Sequence, residues 1–229
     1  MLTHQANTLT IGDGNIYYER RGQGTTLILG HAGFVDSGMW DQQFNMLSQH
    51  YDVVRYDMRG YGRSSAPTQA MSRRHELGEI MQALDIDQAI LMGCSLSGTT
   101  MMDFTLENPE KVIALITVSA TPSGFELQGE PPRYLFEMFG ALQAGNLRHA
   151  SELQARIWFD GDKREPDDVD ATLREQVKAM NLISLEKQAF FIADSQPLSP
   201  LDPPAIDRLA EIQIPTLAIV GVQDHPEIE

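Results

Sequence analysis

The sequence is poor in cysteine and in basic residues. It has one cysteine among 229 residues, which excludes an internal disulfide and is typical of a reducing compartment. Lys and Arg number 17 against 32 Asp and Glu, so the formal net charge is −15. Because nucleic acid and anionic membrane surfaces attract cationic patches, this balance argues against both as partners.

Long apolar runs are also absent. No run approaches the ~20 residues that a membrane-spanning helix needs, and residues 1–15 lack the charged and then apolar pattern of an export signal. Hydrophobic residues make up 42% of the chain and charged residues 21%, which is ordinary for a globular domain with a full core. We therefore expect a soluble, cytoplasmic protein.

Apolar segments of strand length alternate with helical segments over the first half of the chain. Strands are predicted at residues 8–11, 16–19, 26–30, 51–56, 89–92, 112–118 and 215–220. Helices are predicted at residues 40–47, 72–84, 99–108 and 203–212. Because alternating strands and helices favour parallel pairing with right-handed crossovers, the predicted fold is α/β with a mostly parallel sheet flanked by helices.

The alternation stops near residue 121. Helices are predicted at 131–144, 148–159 and 167–194 with no strand between them, which indicates a helical insertion between two strands. The predicted division is a first core part at 1–120, a helical cap at 121–202 and a second core part at 203–229. Most aromatic and Met side chains of the insertion are expected to pack it onto the core, and a few to line an apolar pocket.

The stretch Gly93-Cys94-Ser95-Leu96-Ser97-Gly98 follows one predicted strand and precedes a helix. A strand, a sharp turn and a helix with serine at the apex expose the serine hydroxyl, and small flanking residues give the turn its room. The usual last glycine of G-x-S-x-G is Ser97 here. The alternative is an ordinary Gly/Ser turn that opens a helix, so the context must decide between them.

Two further loops follow predicted strands, namely residues 31–34 (His31-Ala32-Gly33-Phe34) and residues 57–64. In open parallel sheets, ligands bind at the carboxyl ends of strands. We therefore expect these loops and Ser95 to meet on one face.

Four blocks together resemble the α/β-hydrolase superfamily, in family order and at family-like spacing. They are His31-Ala32-Gly33, Asp57-x-Arg59-Gly60-x-Gly62-x-Ser64, Gly93-x-Ser95-x-Ser97-Gly98, and Pro215-Thr216 leading to Gly221-x-x-Asp224. Within the superfamily the chain is most similar to small esterases and lactonases, including 3-oxoadipate enol-lactonase-like enzymes.

The resemblance implies roles for residues at matching positions. Ser95 matches the nucleophile, and Asp224 matches the acid that orients the catalytic histidine; otherwise Asp224 would be a loop residue that caps a turn. The backbone N–H groups of Gly33 and Leu96 would form the oxyanion hole. His31 is expected to be structural, and Cys94 a small side chain behind the turn.

The leading hypothesis is hydrolysis of a small, mostly apolar ester or lactone through an acyl-enzyme, with neither metal nor organic cofactor. Serine at the turn argues against haloalkane dehalogenases and epoxide hydrolases, which need aspartate there, whereas carbon–carbon bond hydrolases and perhydrolases stay open. An alternative of another class is a catalytically impaired binding or regulatory protein of the same fold.

The catalytic histidine of the family follows the acid after one more strand, and no residues remain here for it; His225 adjoins Asp224 and is not expected to reach Ser95. Either the polypeptide is longer than these 229 residues, or the protein is a poor enzyme or none. The first is favoured, because losing the last helices would uncover apolar surface worth about as much as a domain's net stability. A partner chain, as in a homo-oligomer, could also cover that face.

Overall fold

The computed structural model describes residues 4–224 and residue 228, and it contains a seven-stranded sheet. The strands are β1 (His4–Ile11), β2 (Gly14–Arg21), β3 (Thr26–Gly30), β4 (Asp52–Tyr56), β5 (Ala89–Cys94), β6 (Val112–Val118) and β7 (Thr216–Ile219). Each overlaps a segment predicted as a strand, although β1 begins four residues before the predicted segment at 8–11. The turn between β1 and β2 contains Gly12 at φ +56°, a conformation that glycine adopts at little cost.

The strand order is β1-β2-β4-β3-β5-β6-β7. β2 pairs antiparallel with β1 and with β4, and all the other neighbours are parallel. The prediction of a mostly parallel α/β sheet is therefore confirmed. Parallel pairing also brings the carboxyl ends of β3, β5, β6 and β7 to one edge, where ligands bind in such sheets.

Helices flank this sheet, and three more lie between β6 and β7. The helices are α1 (Asp41–Leu47), α2 (Arg73–Ala83), α3 (Leu96–Glu107), α4 (Leu135–Gln143), α5 (Leu147–Ala155) and α6 (Ala171–Glu186). Two π-helical turns, Arg156–Asp160 and Phe190–Asp194, follow α5 and α6. We call residues 135–194 the helical cover; the boundaries predicted at residues 120 and 202 stay a prediction.

Two predicted helices differ from the observed ones. The helix predicted at 203–212 is wrong: the chain forms two 3₁₀ turns, Ala205–Asp207 and Leu209–Glu211, because Arg208 between them has φ −125°. The helix predicted at 167–194 is divided, because Gln188 has φ +53° after α6 has ended. A left-handed residue of this kind stops an α-helix.

The core lies on both faces of the sheet. On one face α2 and α3 pack against the strands, and Leu77, Ile80, Met81 and Leu84 form the buried stripe that the sequence predicts. On the other face Trp40 and Phe44 cover β3 and β4. In the part of the chain that the structure describes, no helix has the length and hydropathy of a membrane span.

Candidate active site

Ser95 lies at a strained turn between β5 and α3. Its backbone has φ 50° and ψ −117°, and α3 begins at the next residue. Conformations of this kind cost about 1–3 kcal/mol for a residue with a side chain, and they concentrate at functional sites. The side chain is exposed although its neighbours Gly93 and Ser97 are buried. The turn therefore lifts one hydroxyl out of a closely packed backbone.

Close backbone packing explains the small residues around Ser95. A Cβ added to Gly93 would lie 2.6 Å from the Gly98 nitrogen, and one added to Gly98 would lie 2.4 Å from the Ala120 Cβ. Ser97 is buried, and its hydroxyl donates to the carbonyl of His31 at 2.6 Å. Serine is accepted in place of the usual glycine because this hydrogen bond satisfies its hydroxyl.

The loop that follows β3, residues 31–34, is called the β3 loop. The buried His31 ring stabilises this loop through two hydrogen bonds. The Met58 amide donates to His31 Nε2 at 3.0 Å, so the hydrogen is on Nδ1, which donates to the Ala32 carbonyl at 2.8 Å. Burial lowers the pKa of His31, which keeps the ring neutral near pH 7. Both ring nitrogens are therefore occupied, and the ring ties the β3 loop to the loop at residues 57–64.

Several backbone N–H groups at this turn have no acceptor among the described residues, and two of them are the predicted oxyanion donors. These two belong to Gly33 in the β3 loop and to Leu96 at the start of α3. The two residues are in contact, since a Cβ added to Gly33 would lie 3.0 Å from Leu96 Cδ2 and 3.2 Å from Leu96 Cβ. Unsatisfied amides beside an exposed hydroxyl are the arrangement that binds a developing oxyanion.

Asp224, in the loop that follows β7, lies near the turn at Ser95. The Ser95 amide donates to Val118 at the end of β6, and the Ser119 amide donates to Ile219 at the end of β7, at 2.9 and 2.8 Å. This pairing aligns the loops after β5 and β7. Burial, with a smaller contribution from the nearby charge of Asp224, raises the pKa of the Cys94 thiol to about 12. The carboxylate of Asp224 is therefore close to the Ser95 turn.

One large cavity contains all four predicted site residues. Its volume is about 1130 Å³, slightly above the usual range of ligand sites, about 300–1,000 Å³. Its floor is formed by residues 32–34, 94–96 and 221–224, at the carboxyl ends of β3, β5 and β7. Above the floor, the helical cover contributes mainly apolar side chains, namely Leu135, Met138, Phe139, Leu142, Leu147, Ile157, Trp158, Phe159, Leu185, Phe190 and Phe191.

The structure thus brings together Ser95, Gly33, Leu96 and Asp224, whose catalytic roles stay predictions. Among the described residues that line the cavity there is no histidine, and His225 lies outside the described residues. Within residues 4–224 and 228 no group of three or more His, Cys, Asp or Glu side chains is placed to hold a metal ion.

Sequence reasoning missed two polar residues of the helical cover that reach the site. Asn181 donates to the Phe34 carbonyl at 3.0 Å, and Asp194 accepts from the Tyr61 hydroxyl at 2.8 Å. Asn181 lies on the buried side of α6, with Val177 and Ser184. A polar residue on a buried helical stripe needs partners, and this was the signal available in the sequence.

Comparison with known proteins identifies the family. The family described as alpha/beta hydrolase fold matches residues 25–158, more than half of the chain. The pimeloyl-[acyl-carrier protein] methyl ester esterase of Aeromonas hydrophila is 28% identical over 216 residues, covering 92% of this chain and 81% of that protein.

Solved structures agree on the fold. The enol-lactonase of Burkholderia xenovorans LB400 has a TM-score of 0.73 at 20% identity, covering 96% of this chain and 84% of that one. The carboxylesterase CesB of Bacillus subtilis has a TM-score of 0.73 at 20% identity, covering 99% and 78%. The predicted similarity to esterases and lactonases is confirmed, and the chain belongs to the α/β-hydrolase family.

Proposed function

We propose that this protein hydrolyses carboxylic esters or lactones through an acyl-enzyme on Ser95. The Ser95 oxygen attacks the carbonyl carbon, and the carbonyl oxygen becomes an oxyanion. The carbon–oxygen bond of the ester then breaks, and the alcohol leaves with the proton taken from Ser95. Water attacks the acyl-enzyme in the same way, releases the acid and returns a proton to Ser95.

The observation that carries this proposal is the placement of the Ser95 hydroxyl beside two amides without an acceptor. Such donors stabilise the oxyanion without reorganising during the reaction, and removal of one costs about 10²–10³ in rate in other serine hydrolases. The amide of Gly33 lies in the β3 loop and that of Leu96 at the first residue of α3, and the two residues contact each other. A packing role for the turn does not explain the strained backbone of Ser95 or the Gly33 amide without an acceptor beside it.

A serine hydroxyl needs a base to take its proton. In this fold the catalytic residues occur in the chain order serine, acid, histidine. In the proposal Asp224 is the acid, and the base is a histidine that follows it in the chain. The acid holds the imidazole in the tautomer that accepts the proton, and it stabilises the imidazolium that forms.

The cavity favours an apolar substrate. Its upper wall is built mainly from leucine, isoleucine, methionine and aromatic side chains, and burial of each CH₂ of a ligand is worth about 0.8 kcal/mol. The named relatives act on a methyl ester, an enol-lactone and a carboxylic ester. These substrates share an acyl carbon bonded to a leaving oxygen, which is the bond that the Ser95 site would cleave.

A fluorophosphonate probe tests the proposal on the folded, full-length protein. We expect covalent labelling of the wild type and none of Ser95→Ala, with kcat for p-nitrophenyl butyrate reduced on the order of 10⁵–10⁶-fold. Ser119→Ala is the matched control, because Ser119 lines the same cavity and also has positive φ, at 43°; it should still be labelled. Absence of labelling in the wild type, or equal labelling of Ser95→Ala, would overturn the proposal.

A further inference from the structure

Nothing in Gly33 itself fixes the direction of its backbone N–H group. Glycine has the widest backbone freedom of all residues, and Gly33 has no side chain that could anchor it. Its orientation must come from the peptide groups on either side, since each peptide is planar and its N–H points away from its C=O. The Ala32 carbonyl shares a peptide with the Gly33 N–H, and it accepts from the Val35 amide at 3.3 Å. The Phe34 carbonyl shares a peptide with that Val35 amide, and the Gly33 carbonyl lies in the peptide between them, so these three carbonyls together determine where the Gly33 amide points.

Each of these carbonyls has a side-chain donor within hydrogen-bond distance, and each donor comes from a different part of the chain. His31 holds the Ala32 carbonyl from within the loop. The Tyr61 hydroxyl, after β4, lies 3.0 Å from the Gly33 carbonyl oxygen. The Phe34 carbonyl accepts from Asn181 Nδ2, on α6, at 3.0 Å. The last contact comes from the helical cover and spans 147 residues of sequence.

Asn181 makes this contact at a cost. The residue is 1% exposed, and its Nδ2 also donates to the side-chain oxygen of Gln154 at 2.6 Å. Its Oδ1 is buried without a partner among the described residues. A buried acceptor without a partner costs about 1–3 kcal/mol, so the amide is kept at this position for its two donated hydrogen bonds and not for its shape. The amide is thus poorly explained by packing alone.

Tyr61 connects the β3 loop to the helical cover a second time. Its hydroxyl lies 2.8 Å from Asp194 Oδ2, and Arg73 Nε donates to Asp194 Oδ1 at 2.7 Å. Asp194 belongs to the π-helical turn that ends the helical cover. The hydroxyl has one hydrogen and two neighbouring acceptors, so Asp194 and the Gly33 carbonyl compete for it.

We propose that the helical cover positions the oxyanion hole, with Asn181 as the principal positioning residue and the Tyr61–Asp194 pair as the second. Without Asn181 the Phe34 carbonyl loses its anchor, and the Val35 amide of the same peptide can turn away from the Ala32 carbonyl, so His31 alone holds the peptide that contains the Gly33 N–H. The amide then stabilises the transition state less while the apolar walls still bind the ground state. This inference rests on the proposed hydrolysis at Ser95.

Asn181→Asp is the sharpest test, because it keeps the shape and replaces the donor with an ionisable group. Ionised, the carboxylate repels the Phe34 carbonyl; protonated, its O–H can donate to it. We expect kcat for p-nitrophenyl butyrate to fall about 10- to 100-fold at pH 8, within the effect of losing one oxyanion donor, with KM within about twofold. The ratio of variant to wild-type kcat should rise as pH falls, because burial raises the pKa of a carboxyl.

Ser151→Ala is the matched control. Ser151 is buried, and its hydroxyl donates to the Lys178 carbonyl at 3.1 Å, so it joins α5 to α6 without touching the β3 loop. Its kcat should match the wild type. Asn181→Leu is the second variant: it removes the amide without adding a charge, and its kcat should be low at every pH.

The outcomes separate the two proposals. If the fluorophosphonate probe does not label the wild type, the proposed function fails. If it labels the wild type and folded Asn181→Asp and Asn181→Leu keep wild-type kcat, the positioning role fails while the hydrolase stands. A loss in Asn181→Asp that does not vary with pH, or a rise in KM alone, also overturns the positioning role. Circular dichroism and thermal unfolding establish that each variant is folded.

Discussion

The floor and the helical cover of the cavity differ in the interactions that form them. On the floor, hydrogen bonds to backbone atoms fix nearly every group, as with His31 on the Ala32 carbonyl and Ser97 on the His31 carbonyl. The cover faces the cavity with apolar side chains, some of them half exposed, such as Trp158 and Phe190 at 50% and 49%. Backbone atoms are independent of side-chain identity, so the floor can keep its chemistry while the cover changes selectivity.

The contrast is not complete, because the cover also contains charged side chains. Arg174 on α6 donates from Nε and Nη2 at 3.0 and 2.9 Å to Asp160, which is buried and lines the cavity. Arg174 also binds Glu152 on α5 and lowers the pKa of that carboxyl to about 2. A charged cluster, more than apolar contact, joins α5, α6 and the turn at Arg156–Asp160.

The largest expected effect tests this cluster. Arg174→Leu should lower the free energy of unfolding by about 3–5 kcal/mol, because it leaves the Asp160 charge buried without its bidentate partner. Urea denaturation measures the change. Arg148→Leu on α5, an exposed arginine, should change it by less than about 0.5 kcal/mol. Equal stability of the two variants would mean that apolar packing alone holds the cover together.

The second largest expected effect concerns the rigidity of the floor. Gly93→Ala should lower kcat about 100-fold and stability by about 1–3 kcal/mol, because the new Cβ would meet the Gly98 backbone nitrogen at 2.6 Å and displace the Ser95 turn. Kinetics with p-nitrophenyl butyrate and thermal unfolding measure both. Gly140→Ala makes the same change on α4, where nothing lies within 4 Å, and should be neutral or slightly stabilising. A fully active Gly93→Ala would show that the turn tolerates displacement.

The same contrast explains what the sequence could predict. The floor is local: the turn at Ser95 and the β3 loop are short segments whose glycines and strand ends appear in the printed residues, so their meeting at one sheet edge followed from parallel pairing. The contacts of the cover with the floor join residues that are far apart in the sequence. The contact of Asn181 with Phe34 and the pair of Asp194 with Tyr61 depend on how α6 and its last turn fold back, which no local pattern in the sequence specifies.

A smaller effect tests whether the cover controls selectivity. Leu142→Ala should raise KM for p-nitrophenyl octanoate about 10-fold, since loss of apolar contact in a pocket is worth about 1–3 kcal/mol, and should leave kcat for p-nitrophenyl acetate unchanged. Leu173→Ala on α6, 45% exposed and outside the cavity lining, is the control. Equal losses for both esters in Leu142→Ala would place this residue in the catalytic step, and the division between floor and cover would fail.

The smallest expected effect on activity concerns Cys94, the thiol of the floor. Its pKa of about 12 reflects burial first and the charge of Asp224 second, so the thiolate fraction at pH 8 is about 1,000-fold below that of an ordinary cysteine. Iodoacetamide at pH 8 should therefore leave activity unchanged and the thiol unmodified, as intact mass would show, whereas the urea-unfolded chain should react.

The same shift has a consequence for stability at high pH. The unfolded thiol ionises near pH 9 and the folded one near pH 12, so above pH 9 the folded state holds more protons, and stability falls as pH rises through that range. Cys94→Ala should remove this part of the loss, measured as a smaller drop in Tm between pH 8 and pH 10. Rapid alkylation of the folded protein with loss of activity would instead mean that the floor opens to solvent behind Ser95, and that it is less rigid than the cover.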